Sequence, residues 1–336
     1  MKQRNRVLLT LLSASFVLAC LAMVMGPTFA LAVNNPSTSI KQSPTGNASP
    51  EARHDDDDHL PLRHSHFTLH TVGNKQNLGY GGGPVITGTM HTYAIFWEPK
   101  GDVDTHYNAL INRYFSDIGG SPLYQIARQY KQANGDFPSN SVPAASWVDH
   151  RAYPQIPVLD NNIQDEVTHA QRVNGWHSTM HNLFFVFTER NVNVCMDNTL
   201  SQCTSNGYCA YHSGFGRDTI YSALPYIASF KCDHYRNPNH DDADKTITGI
   251  SHEQLEAATD PMGNAWLDSQ GNEIADKCSK YYGQPDAQGA DVVWNNDPYM
   301  VQKEWDNRTS SCRLTPSSHK VAPKHQRHQR HHRTIS

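Results

Sequence analysis

The sequence predicts a mixed α/β or α+β fold, in which a single mixed-sheet domain carries packed helices. Segments rich in β-branched and aromatic residues, such as Thr92-Tyr93-Ala94-Ile95-Phe96-Trp97, predict strands. Between such segments, apolar residues recur at helical spacing, as at Tyr107, Leu110, Ile111 and Tyr114. Because the two patterns alternate along the chain, we expect strands and helices to share one core.

The first predicted elements are a strand and two helices. The breaker Gly81-Gly82-Gly83-Pro84 precedes a strand at residues 85–97. A helix is predicted over residues 107–118, where Gly119-Gly120 ends the pattern. Residues 123–130 predict a second, shorter helix.

The following elements alternate between helix and strand. Residues 163–173 have helical periodicity with polar residues on one side. Leu183-Phe184-Phe185-Val186-Phe187-Thr188 is a continuous apolar run, which is typical of a strand buried on both faces. Residues 219–224 predict another strand, and residues 246–259 predict a zincin-like helix that Asp260-Pro261 ends.

This last helix contains the sequence Ser251-His252-Glu253-Gln254-Leu255-Glu256. His252 and Glu256 are four residues apart, so on a helix they project from one face and can hold one metal ion. Glu253 lies where the helix of a metalloprotease carries its general base. The pattern therefore predicts a zinc-hydrolase helix whose second histidine is replaced by a carboxylate. The alternative is an ordinary amphipathic helix with solvated carboxylates.

A third metal ligand is predicted beyond the helix. A short hairpin over residues 267–272 returns the chain towards the helix, which brings Glu273 to the metal. Asp276 is the substitute ligand in case Glu273 does not reach the ion. Asp268 and Asp276 are also candidates to orient His252 through its other ring nitrogen.

The predicted cofactor is a divalent metal ion, with zinc as the first choice and calcium or manganese as alternatives. One histidine and two carboxylates neutralise the charge of the ion, which weakens its Lewis acidity. Oxygen-rich ligation also shifts the preference towards harder ions such as calcium and manganese.

The N-terminus predicts export. Lys2, Arg4 and Arg6 precede an apolar run, and Ala30-Leu31-Ala32 offers a cleavage site, so residues 1–32 are predicted to be a signal peptide. An uncleaved membrane anchor is the alternative, because the apolar run is near the length of a membrane span. Cleavage would leave an extracellular, secreted protein with no stable membrane insertion.

Two segments of low predicted order flank the globular domain, which we assign to residues 67–315. Residues 33–66 form an acidic, histidine-bearing spacer, and residues 316–336 form a basic, histidine-rich tail. The formal net charge of −4 becomes more negative without the basic leader and tail. An acidic body of this kind argues against nucleic acid as a partner.

The cysteines predict a disulfide framework. The chain has seven, of which Cys20 lies in the leader. The remaining six suggest three disulfides in an exported protein, although sequence alone leaves fifteen pairings open. The spacing favours a crowded group of four in a loop-rich segment and one separate pair. The group is Cys195, Cys203, Cys209 and Cys232, and the pair is Cys278 and Cys312.

The segment Tyr208-Cys209-Ala210-Tyr211-His212 has two interpretations. If it lies over the motif helix, a tyrosine or the histidine can stabilise a developing oxyanion. Otherwise it is an aromatic cluster stapled into the core by a disulfide.

Several motifs together resemble the phosphate-induced, exordium-like family of secreted proteins. They are Gly83-Pro84-Val85, Asn193-Val194-Cys195-Met196, Tyr208-Cys209-Ala210-Tyr211-His212, the helix from Ser251-His252-Glu253 to Thr259-Asp260-Pro261, Gly263-Asn264-Ala265-Trp266, Asp276-Lys277-Cys278 and Trp305-Asp306. The resemblance covers most of residues 83–312 and is closest to bacterial-type members with an H-E-x-x-E helix. It implies secretion and one exordium-like globular domain. Because plant members are associated with extracellular growth control, it carries little information about a reaction.

Two functions from different classes remain open, so the sequence does not decide whether the protein is an enzyme. The first is a secreted metal-dependent hydrolase, peptidase-like, acting on a peptide or cell-wall substrate. In it Glu253 takes a proton from water, and His252, Glu256 and Glu273 hold the metal. The second is a non-catalytic extracellular or cell-surface exordium-like protein with a structural metal site.

Overall fold

A mixed sheet forms the centre of the part of the chain that the computed structural model describes, residues 65–66, 76–232 and 236–318. These residues belong to one unit, Asp58–Ser336. The strands are β1 (Ser65–His66), β2 (Gly79–Tyr80), β3 (Gly88–Trp97), β4 (Pro138–Asp149), β5 (Val158–Leu159), β6 (Asn182–Thr188), β7 (Val194–Cys195), β8 (Tyr211–Phe215), β9 (Thr219–Leu224), β10 (Trp266–Leu267), β11 (Val292–Trp294), β12 (Asp297–Tyr299), β13 (Glu304–Asp306) and β14 (Ser311–Arg313). The α-helices are α1 (Tyr107–Asp117), α2 (Asp160–Asn174) and α3 (Ala243–Thr259), and short 3₁₀ helices lie at Tyr124–Gln129, Ile227–Ser229 and Asp276–Cys278.

The main sheet has six strands in the order β1-β8-β9-β6-β3-β4. Strands β4, β3, β6 and β9 run parallel to one another. Strand β8 is antiparallel to β9, and β1 is antiparallel to β8. The sheet is therefore mixed, which confirms the predicted fold class.

The helices cover both faces of this sheet. Successive strand residues point to opposite faces, so Phe185 packs into one core with α1 and α3, while Phe184 packs into the other with α2. Strand β6 lies in the middle of the sheet, and all seven of its residues are buried. This confirms the prediction that its apolar run is covered on both sides.

Most predicted elements are confirmed with small shifts in their bounds. Helices α1, α2 and α3 correspond to the predictions at 107–118, 163–173 and 246–259, and β9 has the predicted bounds. The helix predicted at 123–130 is instead a 3₁₀ helix, Tyr124–Gln129.

The hairpin predicted over residues 267–272 is wrong. Strand β10 pairs with the distant β2, and Asp268 begins a tight turn in which its backbone N–H donates to the carbonyl of Asn272. The turn still reverses the chain, so the segment that follows it returns to α3.

The predicted grouping of the cysteines is confirmed. Disulfides join Cys195 to Cys203, Cys209 to Cys232 and Cys278 to Cys312. Three disulfides fit a protein of an oxidising, extracellular compartment.

The predicted signal peptide, residues 33–64 of the predicted spacer and residues 319–336 of the predicted tail lie outside the described residues. Within the described part of the chain, none of the helices combines the length and the apolar character needed to cross a membrane.

Candidate metal centre

Helix α3 carries the metal motif through the interior of the protein. Every one of its 17 residues except Lys245 is buried. Such all-round burial is typical of a core helix. A Cβ atom on Gly249 would lie 2.4 Å from Cδ1 of Ile227 and 3.4 Å from Cδ1 of Leu224, at the end of β9. The glycine thus permits the helix to approach the sheet closely, and the motif is pressed against β8 and β9.

One histidine of the centre is His252, in the middle of α3. Its Nε2 lies 3.1 Å from Oε1 of Glu256, one turn further along the helix. The same Nε2 lies 3.6 Å from Oδ1 of Asp276. The backbone N–H of Asp276 donates to Oε1 of Glu256 over 3.0 Å, which holds this loop against the helix. Asp276 therefore lies beside His252, in the place predicted for Glu273.

The second histidine is His212, which β8 presents to the same helix. Its Nδ1 lies 3.2 Å from Oε2 of Glu253 and 3.8 Å from Oε2 of Glu256. Its Nε2 lies 3.7 Å from Oε1 of Glu273 and 3.2 Å from the backbone carbonyl oxygen of Asp260. The turn after β10 thus brings Glu273 to the centre, but on the side of His212.

Two sets of three side chains place their ligand atoms within 4.8 Å of one another in the described part of the chain: His252, Glu253 and Glu256, and His212, Glu256 and Glu273. The predicted ligands His252, Glu256 and Glu273 are thus divided between the two sets. Glu256 belongs to both.

The centre is rich in buried carboxyl groups. Glu253, Glu256 and Glu304 are fully buried, and Glu273 is 1% exposed. Burial raises the pKa of Glu253 to about 8 and also raises the pKa of Glu256, whose neighbour Asp276 adds to the effect. Desolvation lowers the pKa of His252, but Glu256 and Asp276 outweigh it, so that its pKa lies above the usual value. The surroundings thus favour positive charge at this point of the core.

Several carboxylate oxygens in the centre accept no hydrogen bond from the described residues. They are Oε1 of Glu253, Oε1 of Glu273, Oδ1 of Asp276 and both oxygens of Glu304, all buried. A buried carboxylate without a partner is costly to keep ionised, and a bound cation removes that cost. Imidazole nitrogens and carboxylate oxygens are also ordinary ligands of divalent metals. The residues present therefore fit a divalent ion.

Glu304 was not identified from the sequence. It begins β13, which packs against the segment before Asp276 through a bond from the backbone N–H of Trp305 to the carbonyl of Ile274, 3.0 Å long. Burial raises the pKa of Glu304 well above its usual value, and its carboxyl group interacts with His252, Glu256 and Asp276. Its position near α3 depends on the contact between β13 and the segment before Asp276, which are far apart in the sequence. No local sequence pattern therefore predicts that Glu304 belongs to the centre.

Asp268 does not orient His252. Its Oδ2 lies 3.1 Å from the ammonium nitrogen of Lys277, and both side chains are buried. Its Oδ1 accepts hydrogen bonds from the backbone N–H groups of Gln270 and Asn272. Asp268 therefore stabilises the turn that carries Glu273 to the centre.

The structure confirms the interpretation of residues 208–212 as a disulfide-stapled core, while a role in stabilising an oxyanion stays a prediction. Cys209 is disulfide-bonded, and the hydroxyl of Tyr211 donates to Oδ1 of Asp160 over 2.7 Å in the core beneath α2. His212, the next residue along β8, points to the opposite face and reaches α3. The segment is thus a stapled core that also supplies one side chain to the centre.

No protein-family model, curated protein or solved structure matches this chain. The resemblance to exordium-like proteins therefore stays a prediction from the sequence motifs. Any assignment of function has to rest on the geometry of the centre.

Proposed function

We propose that this protein is a secreted metal-dependent hydrolase, peptidase-like in its reaction, with Glu253 as general base. His252 and Glu256 would hold the ion, with Asp276 beside His252 and Glu273 on the side of His212. Zinc is the first candidate for the ion, because the two imidazoles add nitrogen ligands to the carboxylates. The observation that carries the proposal is the convergence of both histidines and four carboxylates on one buried face of α3.

The state of Glu253 supports a role as base. Its Oε2 faces Nδ1 of His212 at 3.2 Å, while its Oε1 accepts no hydrogen bond from any residue that the structure describes. Burial raises its pKa to about 8, and a general base is most effective when its pKa lies near the working pH. His212 would fix the orientation of the carboxylate and leave Oε1 to accept a proton.

The proposed reaction needs one water molecule and one scissile amide. A divalent ion at this centre would supply Lewis acidity. Oε1 of Glu253 takes a proton as the water oxygen attacks the amide carbonyl carbon, and the protonated Glu253 later gives that proton to the leaving amine. The proton balance closes with one carboxylic acid and one amine as products.

A second candidate is a non-catalytic extracellular protein in which the centre is a structural metal site. Its support is the enclosure of the centre, because His252, Glu253 and Glu256 are fully buried and His212 is 1% exposed. Structural metal sites are closed, whereas catalytic sites keep an open position for water. Hydrolysis at Glu253 requires the protein to admit water and substrate to this point.

The substitution Glu253→Gln separates the two candidates. The change keeps the shape of the side chain and removes the base, so the proposed hydrolase should retain its metal and lose peptide cleavage. The assay combines elemental analysis of purified protein with mass spectrometry of a mixed peptide library. Asp165→Asn, at an exposed position of α2, is the matched control and should cleave like the wild type. Absence of cleavage by metal-loaded wild-type protein would favour the structural site.

Secretion is part of the proposal. Its support is the sequence of residues 1–32 together with the three disulfides. N-terminal sequencing of protein recovered from the culture medium should give a first residue close to Val33. A cell-associated protein that retains residues 1–32 would contradict it.

A further inference from the structure

The carboxyl group of Glu256 faces two histidines at once. Oε1 lies 3.1 Å from Nε2 of His252, whereas Oε2 lies 3.8 Å from Nδ1 of His212. Two ligands of one zinc ion, each about 2.1 Å from the metal, lie roughly 3 to 4 Å apart. Oε1 of Glu256 is therefore at ligand-to-ligand distance from His252, and the same carboxylate also belongs to the group His212, Glu256 and Glu273, whose ligand atoms lie within 4.8 Å of one another.

Each histidine also has a second carboxylate that the other lacks. Nε2 of His252 is 3.6 Å from Oδ1 of Asp276, and Nε2 of His212 is 3.7 Å from Oε1 of Glu273. The backbone carbonyl oxygen of Asp260 adds a further oxygen 3.2 Å from Nε2 of His212. The centre thus contains two half-sites, each with one imidazole and one carboxylate of its own.

The contact made by Nδ1 of His212 is of the kind that a metal-binding histidine makes with its non-binding nitrogen. It lies 3.2 Å from Oε2 of Glu253. A histidine that binds a metal through one ring nitrogen commonly donates from the other to a carboxylate, which fixes the ring. Nε2 of His212 is then the nitrogen directed at Glu273.

We propose that the centre holds two divalent ions bridged by Glu256, one bound by His252 and Asp276 and the other by His212 and Glu273. This inference rests on the proposed function, because it adds a second ion to the metal centre assumed there. Two-metal hydrolases hold their ions about 3.5 to 4 Å apart, a spacing that one bridging carboxylate spans.

The charge of the centre supports two ions rather than one. The five carboxyl groups of Glu253, Glu256, Glu273, Asp276 and Glu304 are all buried. The ammonium group of Lys277, which follows Asp276 in the chain, is directed at Asp268. In their ionised form, two of these five groups can be balanced by one divalent ion and four by two ions. Among the described residues, neither Oε1 of Glu273, which faces His212, nor Oδ1 of Asp276, which faces His252, accepts a hydrogen bond, so each half-site has a carboxylate oxygen that an ion could satisfy.

Metal stoichiometry of the full chain tests the inference. We would load the protein with Mn²⁺, an ion that competes less well than zinc for the histidine-rich tail, dialyse it and count manganese per chain. We expect two ions in the wild type, one in Glu273→Gln and one in Asp276→Asn. Asp165→Asn is the matched control and should keep two. A full-length variant with His325, His328, His331 and His332 changed to asparagine corrects for ions bound by the tail.

Electron paramagnetic resonance of the Mn²⁺-loaded wild type gives a second readout that needs no variant. Two ions bridged by one carboxylate should give an exchange-coupled spectrum instead of the signal of isolated Mn²⁺. One uncoupled ion per chain would overturn the two-ion inference and leave the proposed hydrolase standing. Absence of any bound ion would overturn both.

Discussion

The disulfide between Cys278 and Cys312 should be the one whose loss destabilises the protein most. It closes a loop with a sequence separation of 34 residues, next to the turn that carries Asp276. In the chain-entropy model such a crosslink contributes about 3.8 kcal/mol at 25 °C. The bond between Cys195 and Cys203 has a separation of only 8 residues and should contribute about 2.5 kcal/mol.

The two bonds therefore form an internal comparison. We would change both cysteines of each pair to alanine and measure the free energy of unfolding by urea titration at one fixed metal concentration. The variant at 278 and 312 should lose about 1.3 kcal/mol more than the variant at 195 and 203. The loss of side-chain packing favours the opposite order of destabilisation, because Cys195 and Cys203 are buried whereas Cys312 is only partly buried. An equal or larger loss from the short loop would refute the entropic argument.

Three further predictions concern the core, pH and metal. Gly249→Ala should lower the free energy of unfolding, measured by urea titration, by about 1 kcal/mol. The new Cβ crowds Ile227, and this cost exceeds the gain of about 1 kcal/mol in helix propensity. An unchanged urea midpoint would show that Ile227 moves aside freely. Burial raises the pKa of Glu166 from 4.5 to about 8 although Arg151 contacts its carboxyl group. The contribution of Glu166 to stability is therefore present below pH 4.5 and is lost as the pH rises to about 8. Glu166→Gln should flatten the plot of unfolding free energy against pH in this range, and an unaltered slope would contradict the prediction. Metal at one hundred times its dissociation constant should raise the free energy of unfolding by about 2.7 kcal/mol, and a chelator should reverse the effect. Glu256→Gln should abolish this stabilisation. An equal stabilisation of the variant by metal would place the ion elsewhere.

The elements that the sequence predicted well are those with a strong local pattern. Helix α3 could be predicted because its apolar residues recur along it and Asp260-Pro261 ends it. Strand β6 could be predicted from an unbroken apolar run. Strand β4 was missed because Pro138 and Pro143 make it read as a loop. The structure accommodates it at the sheet edge, with a register shift beside Pro143.

The part of the candidate site that the sequence predicted most directly is the part whose residues share one helix. His252, Glu253 and Glu256 follow from spacing alone, whereas His212 depends on the order of strands in the sheet. No sequence pattern near His212 predicts that β8 packs against α3. One weak signal was available, since serine is seldom fully buried and glycine weakens a strand, yet both follow His212 in β8. The sequence predicted that Glu273 lies near the helix. Which of the two acids, Glu273 or Asp276, lies beside His252 depends on the turn at Asp268, and the sequence did not predict the shape of that turn.

The burial of α3 also sets the time scale on which the centre communicates with solvent. Amide hydrogens of a helix enclosed on every side exchange mainly through large openings of the core, so those of α3 should be among the slowest in the protein. An ion held between α3 and β8 has to leave by the same openings. Its residence time would then follow the frequency of core opening rather than the strength of its ligand bonds. Loading and removal of the metal should accordingly be slow, on the time scale of these openings.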